Sequence, residues 1–481
     1  MAFDKAAEDC CSGKGSGQKT RLMVIGAGSA GFSAAITAAE AGAEVTLVGA
    51  GTIGGTCVNV GCVPSKTMIR AVEPLYQASH ASRFEGISSA AMVLNWQAVV
   101  GQKQQLVDDL RKAKYTDVLP SHPGVSYVEG KARLTADGVL VDRTLYRPDK
   151  IIIATGSSNA VPPIPGIDNV PYLDSTSALD LTALPKSTIV IGGGVIGCEL
   201  GQMFARAGVK VTICCRSRLV PGMEPEISEH LARYLEEEGV RVLTGIDYQS
   251  VTEEDGTINL IYGQNGIRQT VTAETLLLAA GRRTNTEGLG LEEAGVALND
   301  RGGIEVDSTM QTTNPMVYAA GDVTGKDMFV YMAAYGAKLA AFNAVGGEMR
   351  GYDNAAMPVV IFTDPQVASV GLTETQASRQ GINVKTSLIT LDHVPRYLAA
   401  RDMRGLIKLV ADKTSDRLIG AHILAPEGGE LIQTAVMAIK AGMTTSELAQ
   451  TIFPYLTGVE GLKLAAQTFD KDVSTLSCCA G

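Results

Sequence analysis

Cys57 and Cys62 lie five residues apart in the segment Gly54-Gly55-Thr56-Cys57-Val58-Asn59-Val60-Gly61-Cys62-Val63-Pro64-Ser65-Lys66. Two thiols at this spacing can store an electron pair as a disulfide. On a regular α-helix, i to i+5 is a rise of about 7.5 Å, whereas bridged Cα atoms are usually closer than about 6.8 Å. A Cys57–Cys62 bridge therefore requires distorted backbone near Gly61 and is of a strained, reducible kind. A helix N-terminus beside them favours the reactive thiolate. The competing reading, two unrelated buried cysteines, leaves the flanking glycines and Lys66 unexplained.

The other cysteines call for different chemistry. They are Cys10-Cys11, Cys198, Cys214-Cys215 and Cys478-Cys479, making nine in all. An odd count at low density in a long chain is not a disulfide scaffold. Adjacent cysteines are poorly placed to bridge each other, so the vicinal pairs are weighed as soft-metal ligands. Cys214 and Cys215 read as one core thiol and one outward thiol, and Cys198 as helix packing. A vicinal pair near the chain end, as at Cys478 and Cys479, suits capture and hand-over of a thiophilic cation.

Two glycine-rich turns accompany the thiols, the first directly ahead of them in the chain. A strand at Arg21–Ile25 leads into Gly26-Ala27-Gly28-Ser29-Ala30-Gly31, an alanine-rich helix to Ala41, Gly42, and a strand at Glu44–Val48. The pattern returns as Ser187–Ile191, Gly192-Gly193-Gly194-Val195-Ile196-Gly197, a helix to Ala207, Gly208, and Lys210–Cys214. One such motif is a weak signal; two in matching strand–helix contexts are strong. Each lets backbone approach a pyrophosphate at a helix N-terminus. Gly26, Gly28 and Gly31, and then Gly192, Gly194 and Gly197, are the candidate cofactor residues. Two dinucleotides in one chain suit electron transfer between them. After the second unit the chain reads Cys214-Cys215-Arg216-Ser217-Arg218. Arginine there suits a ribose 2′-phosphate where an NAD site would want a carboxylate. That predicts NADPH, with Arg216 and Arg218 as its phosphate partners.

The remaining chain supplies the frame. Its 481 residues suit about three domains, and 45% hydrophobic residues provide ample core. The 51 acidic against 41 basic residues leave a formal charge of −10, which argues against binding to nucleic acid or anionic lipid. No run reaches the roughly 18 apolar residues of a membrane helix, and no secretory signal opens the chain; a cytoplasmic protein is expected. Residues 1–20 read as a flexible N-terminal tail. Lys150–Gly156, Thr275–Gly281 and Met316–Asp322 read as glycine-ended strands, and residues 240–275 as antiparallel strands. The last 130 residues or so alternate as strands before two amphipathic helices, an α+β docking domain.

The segment GGTCVNVGCVPSK, both GxGxxG units, and the ATG, GRR and AAGD segments together resemble the flavin-dependent pyridine nucleotide–disulfide oxidoreductases over residues 21–481. The resemblance implies an α/β fold with two Rossmann-like dinucleotide-binding domains and a C-terminal α+β dimerisation domain. It implies FAD on residues 21–160, completed by a return segment at 286–350, NADPH on 161–285, and dimerisation through 351–481. Cys62 would lie nearest the flavin and Cys57 would be the interchange thiol. Asp322 would hold the ribityl chain, Lys66 would pair with Glu199 near the flavin, and Gly51, Thr56, Ala154 and Val330 would line the FAD site. Read from residue type alone, Lys66 and Glu199 are ordinary helix-surface charges. One departure stands out. The second strand ends Val48-Gly49-Ala50-Gly51, with no acid for the FAD ribose.

Family members that reduce disulfides usually carry a His-Pro pair near the C-terminus. This chain reads Ile452-Phe453-Pro454-Tyr455, and its histidines are His80, His122, His230, His393 and His422. A disulfide substrate needs proton delivery to its leaving thiolate; a metal ion does not. Phe453-Pro454-Tyr455 with the terminal CCAG resembles the members of the family that reduce mercuric ion, held as a thiol complex. Within that resemblance Cys57, Cys62, Cys478 and Cys479 ligate Hg(II), Tyr115 and Tyr455 surround it, and a homodimer shares its active sites between subunits. By residue type, Tyr115 reads as a helix-face aromatic and Tyr455 as a core tyrosine. The alternatives are a glutathione- or lipoamide-type disulfide reductase, or a non-catalytic thiol protein that sequesters metal.

Overall fold

A computed structural model describes residues 19–346 and 349–473. The N-terminal tail with Cys10-Cys11 and the terminal pair Cys478-Cys479 lie outside the described residues.

The described chain gathers into two units. The first draws on residues within 1–59, 109–158 and 283–352. Its centre is a parallel five-stranded sheet in the order Val317–Ala319, Lys150–Ile153, Arg21–Ile25, Glu44–Gly49, Val125–Glu129. The strand cores read LMVI, VTLV and III, almost wholly apolar on both faces as a helix-covered parallel sheet requires. Helices Ser29–Glu40 and Val330–Val345 cover it, and alanine supplies most of their buried faces. Small side chains let helix backbones approach closely, which accounts for a core poor in aromatics. A three-stranded antiparallel sheet, Ala132–Thr135, Gly138–Val141 and Thr144–Tyr146, completes this unit.

The second unit draws on residues within 60–108, 159–282 and 353–481. It holds a parallel sheet in the order Arg241–Leu243, Lys210–Cys214, Ser187–Ile191, Thr275–Leu278. Of the stretch 240–275 expected as antiparallel strands, residues 247–273 form an antiparallel meander, whereas Arg241–Leu243 pairs in parallel with Lys210–Cys214. The C-terminal sheet is antiparallel, ordered Pro358–Ile361, Gln366–Gly371, Leu418–Ala425, Leu406–Asp412, Val384–Thr390, with helix Gly428–Lys440 packed on it.

Two buried charge clusters stitch this second unit. Lys408, 4% exposed, reaches Glu224 at 3.1 Å, Glu226 at 2.8 Å and Glu374 at 2.9 Å. Arg206 and Arg404 converge on Glu238 and Asp364, and both guanidinium groups lie on the Tyr76 ring at 4.0 and 4.6 Å. Tyr76 belongs to helix Cys62–Ser79, so the cluster fixes the helix that Cys62 begins. Removing one partner of such a buried pair costs far more than the intact pair contributes.

Candidate active site

The two glycine loops adopt one backbone conformation. Gly26 and Gly192 have φ of +118° and +117°. Gly28 and Gly194 have φ, ψ of −90°, −171° and −83°, −167°, and each precedes a 12-residue helix with no side chain bonded to its N-terminus. Two independent stretches thus present the same uncapped helix start.

What a Cβ would meet separates the glycines by role. At Gly26 it would stand 2.2 Å from the Ala154 carbonyl oxygen, and at Gly31 1.7 Å from that of Gly26. At Gly192 and Gly197 the corresponding oxygens are Ala279 at 2.3 Å and Gly192 at 1.9 Å. These four glycines serve close packing of turn, strand and helix. The middle glycines differ: Gly194 meets nothing within 4 Å, and Gly28 meets only Gly55 Cα at 3.5 Å. That open space over free helix N–H groups fits a pyrophosphate at each loop, so the residues present fit FAD and NADPH.

In the first unit the cysteine segment is tied to the first loop. Gly54 N–H donates to the Ala27 carbonyl at 2.9 Å, and Gly28 and Gly54 form a parallel bridge. Gly54 and Gly55 both have positive φ, and a Cβ on Gly55 would stand 2.6 Å from Gly28 Cα. Only glycine allows that approach. The turn delivers Thr56 and Cys57 on the short helix Gly55–Asn59. Asn59 locks this helix, donating to the Ile53 and Gly55 carbonyls while Arg111 donates to its Oδ1.

The helix stops at Asn59, and a new one begins at Cys62. Gly61, at φ −120° and ψ −111°, is the break that a Cys57–Cys62 bridge requires. Both cysteines are half-buried. Cys62 opens its helix with no side chain capping it, where the helix dipole favours an anion.

Tyr115 lies in a π-helical turn, Lys112–Thr116, a local form frequent at functional sites. Its hydroxyl is 3.0 Å from Ser29 Oγ, its ring meets Phe32 edge-on at 4.9 Å, and a Cβ on Gly54 would touch it at 3.2 Å. Tyr115 therefore borders both the first loop and the cysteine turn, more than a helix-face aromatic. Asp322 follows Gly321 and accepts from Ser157 Oγ at 2.6 Å. Ala154 supplies the carbonyl under Gly26, Val330 starts an uncapped helix, and Gly51, exposed at φ +91°, leads into the cysteine turn.

In the second unit, Lys66 Nζ reaches Glu199 Oε2 at 2.7 Å. Glu199 is 3% exposed and sits on the helix that follows the second loop. The surface-charge reading of this pair fails. Arg216 is exposed just past Lys210–Cys214, whereas Arg218 donates to the Pro221 and Met223 carbonyls and shapes its own loop.

Two further readings from residue type are corrected. Cys214 and Cys215 are both buried, at 0% and 5% exposure, because Cys215 lies past the strand end and tucks against Gly193. Burial pushes the Cys214 thiol up to about 12 and the Cys215 thiol up to about 11. Cys198 is fully buried, as helix packing predicts, and burial pushes its thiol up as well. Tyr455 is 54% exposed, not core, because Leu456 at φ +60° turns the chain there. His422 is buried in the C-terminal sheet between Ser369 and the Leu372 carbonyl, far in character from a solvent-facing acid.

Sequence comparison matches residues 20–339 to the family described as pyridine nucleotide-disulphide oxidoreductase, and residues 357–466 to its dimerisation domain. The mercuric reductase of Acidithiobacillus ferrooxidans is 46% identical over 98% of this chain and 87% of its own. That of Streptomyces lividans is 45% identical over 96% of this chain and 98% of its own. Among solved structures, the HOCl-induced flavoprotein disulfide reductase RclA from Escherichia coli superposes with a TM-score of 0.82 at 30% identity, covering 93% of this chain and 99% of that one. LpdA from Mycobacterium tuberculosis gives a TM-score of 0.82 at 27% identity over 94% of this chain and 100% of that one.

Proposed function

The chain belongs to the mercuric reductases of the pyridine nucleotide-disulphide oxidoreductase family, and on that premise we propose how its own residues carry the reaction. The enzyme uses NADPH and FAD to reduce Hg(II), so that NADPH and Hg²⁺ yield NADP⁺, H⁺ and elemental mercury. Bound FAD supplies the two-electron transfer between nicotinamide and the sulfur–mercury centre. Every other requirement falls on side chains.

The observation that carries the assignment is the tie between the cysteine turn and the first loop, Gly54 N–H to the Ala27 carbonyl at 2.9 Å. It fixes Cys57 beside the loop that takes the flavin dinucleotide. Cys62 is the thiol nearest the flavin and Cys57 the thiol that exchanges mercury ligands. Tyr115 and Tyr455 flank the metal, and Lys66 with Glu199 steadies the helix that starts at Cys62. Gly28, Gly51, Thr56, Lys66, Ala154, Asp322 and Val330 hold FAD while Gly26 and Gly31 pack its loop close; Gly194 and Arg216 hold NADPH while Gly192, Gly197 and Arg218 shape that loop. FAD takes residues 21–160 and 286–350, NADPH takes 161–285, and 351–481 joins subunits.

The dimerisation-domain match over residues 357–466 supports a homodimer as the working unit. Its surface in a single chain leaves Ile452 96%, Tyr455 54% and Leu456 43% exposed, an apolar set that a second copy would cover. Hg(II) arrives as a thiol complex, passes to Cys478 and Cys479 of one subunit, and moves by ligand exchange to Cys57 and Cys62 of the other. Among the described residues no helix is long and apolar enough to cross a membrane. The test is NADPH oxidation with Hg²⁺ under excess thiol, run beside oxidised glutathione and lipoamide. Faster turnover of either disulfide than of mercury would overturn the assignment, and a stoichiometric response would point to sequestration.

A further inference from the structure

A dinucleotide loop of this kind is normally completed by an Asp or Glu about twenty residues on, where the second strand ends and the ribose hydroxyls lie. Here that place is Gly49, a buried glycine in ordinary extended strand. It is held against the first loop: Gly26 N–H donates to the Val48 carbonyl at 2.8 Å, and Gly130 N–H to that of Gly49 at 2.9 Å.

The space that an acid's Cβ would occupy is taken. A Cβ on Gly49 would stand 2.7 Å from Tyr127 Oη and 2.8 Å from the Ala27 Cβ. Tyr127 comes from the adjacent strand, where it pairs in register with Leu47, and Glu129 pairs with Gly49. Residues in register on parallel strands face the same side, so the tyrosine runs along the sheet from Leu47 to the strand end. Its hydroxyl finishes in the wedge between Gly49 and Ala27. We propose that Tyr127 Oη replaces the absent carboxylate as the side-chain hydrogen-bond partner of the FAD adenosine ribose, and that Gly49 is glycine to admit it. Burial, with Glu129 adding to it, raises the phenol from its ordinary value. The group therefore stays neutral and can donate to a ribose oxygen or accept from its hydroxyl, whereas a carboxylate only accepts.

This deepens the assignment of FAD to the first loop and rests on it. The test uses holoenzyme carrying either FAD or an FAD analogue lacking the adenosine ribose 2′-hydroxyl, with flavin release after dilution followed by its fluorescence. Tyr127→Phe should release FAD on the order of three- to tenfold faster than the unmodified enzyme, as one lost hydrogen bond implies. The analogue should leave both proteins at one rate. Unchanged FAD release in Tyr127→Phe would overturn the proposal, as would equal acceleration for both flavins, the mark of a packing role alone. A hydroxyl-dependent loss in Glu129→Gln but not in Tyr127→Phe would move the contact to Glu129 and overturn it too. Purified enzyme holding no flavin absorbance would instead refute FAD on this loop.

Discussion

Lys66 Nζ donates to Glu199 Oε2 at 2.7 Å, while Glu199 Oε1 accepts the backbone N–H of Phe362 at 2.8 Å and the Phe362 ring lies 4.8 Å beneath the ammonium. The carboxylate is 3% exposed and the lysine 29%. The two partners are therefore unequal. Lys66→Met strands a buried charge and should cost about 3 kcal/mol, whereas Glu199→Gln leaves a lysine that water can reach and should cost about 1 kcal/mol. The double variant should recover much of the Lys66→Met loss. Urea unfolding of the holoenzymes measures all three, and equal costs for the single variants would contradict the asymmetry.

Cys62 begins its helix and Cys57 ends up on the other side of the Gly61 break. Two-electron reduction should produce a red-shifted thiolate-to-flavin absorption band. Cys62→Ser should abolish it and Cys57→Ser should keep it. A band persisting in Cys62→Ser would reverse the roles.

Arg216 and Arg218 follow one strand but do different work. Arg216 is exposed, so Arg216→Ala should remove a charge-assisted bond to phosphate, about 1.5–3 kcal/mol. NADPH selectivity should fall roughly tenfold or more while NADH turnover holds. Arg218 bonds the Pro221 and Met223 carbonyls, so Arg218→Ala should weaken both cofactors and lower thermal stability. Equal KM changes for NADPH and NADH in Arg216→Ala would exclude it as the phosphate partner.

How far these residues were legible beforehand depended on range. The βαβ units, the meander and the C-terminal sheet follow from local patterns of glycine and alternating apolar residues. The break at Gly61 follows from helix rise once a Cys57–Cys62 bridge is assumed. Lys66 with Glu199 did not, because their pairing joins positions 133 residues apart and only the family resemblance suggested it. The reading of one of Cys214 and Cys215 as an outward thiol fails because the strand ends at Cys214 and Cys215 is buried beyond it. Nothing local in the sequence marks Tyr127. The signal was the vacancy at Gly49, but its filler is identified only once strands some eighty residues apart are in register.

The buried thiols carry a pH signature. Cys214 and Cys215 are pushed up to about 12 and about 11 by burial, against an ordinary value of about 8.5. A group raised in the fold contributes in full below its unfolded value and loses that contribution as pH climbs toward the folded one. The share of stability these two thiols contribute should therefore be constant up to about pH 8.5 and decline from roughly pH 9 toward about pH 12. At pH 8, iodoacetamide should modify Cys57 and Cys62 of the reduced protein and spare Cys198, Cys214 and Cys215 until urea is added. Mass spectrometry reads the sites, and labelling of Cys215 as fast as Cys57 would contradict the burial argument.

The last prediction concerns which chain completes each site. Cys478 and Cys479 lie outside the described residues, yet they follow a dimerisation domain matched over 357–466. In a two-fold dimer each subunit can lend its end to the other's centre. Transfer by pairwise ligand exchange then moves Hg(II) inward without releasing it. Cys478→Ser/Cys479→Ser should keep FAD and the thiolate-flavin band but lose mercury turnover when other thiols compete. Cys57→Ser/Cys62→Ser should be inactive under any condition. Mixed under conditions that exchange subunits, the two variants should regain activity, because the heterodimer owns one site with an intact centre and an intact donated end. If transfer ran within a chain, neither subunit would hold a complete set, and the mixture would stay as inactive as its parents.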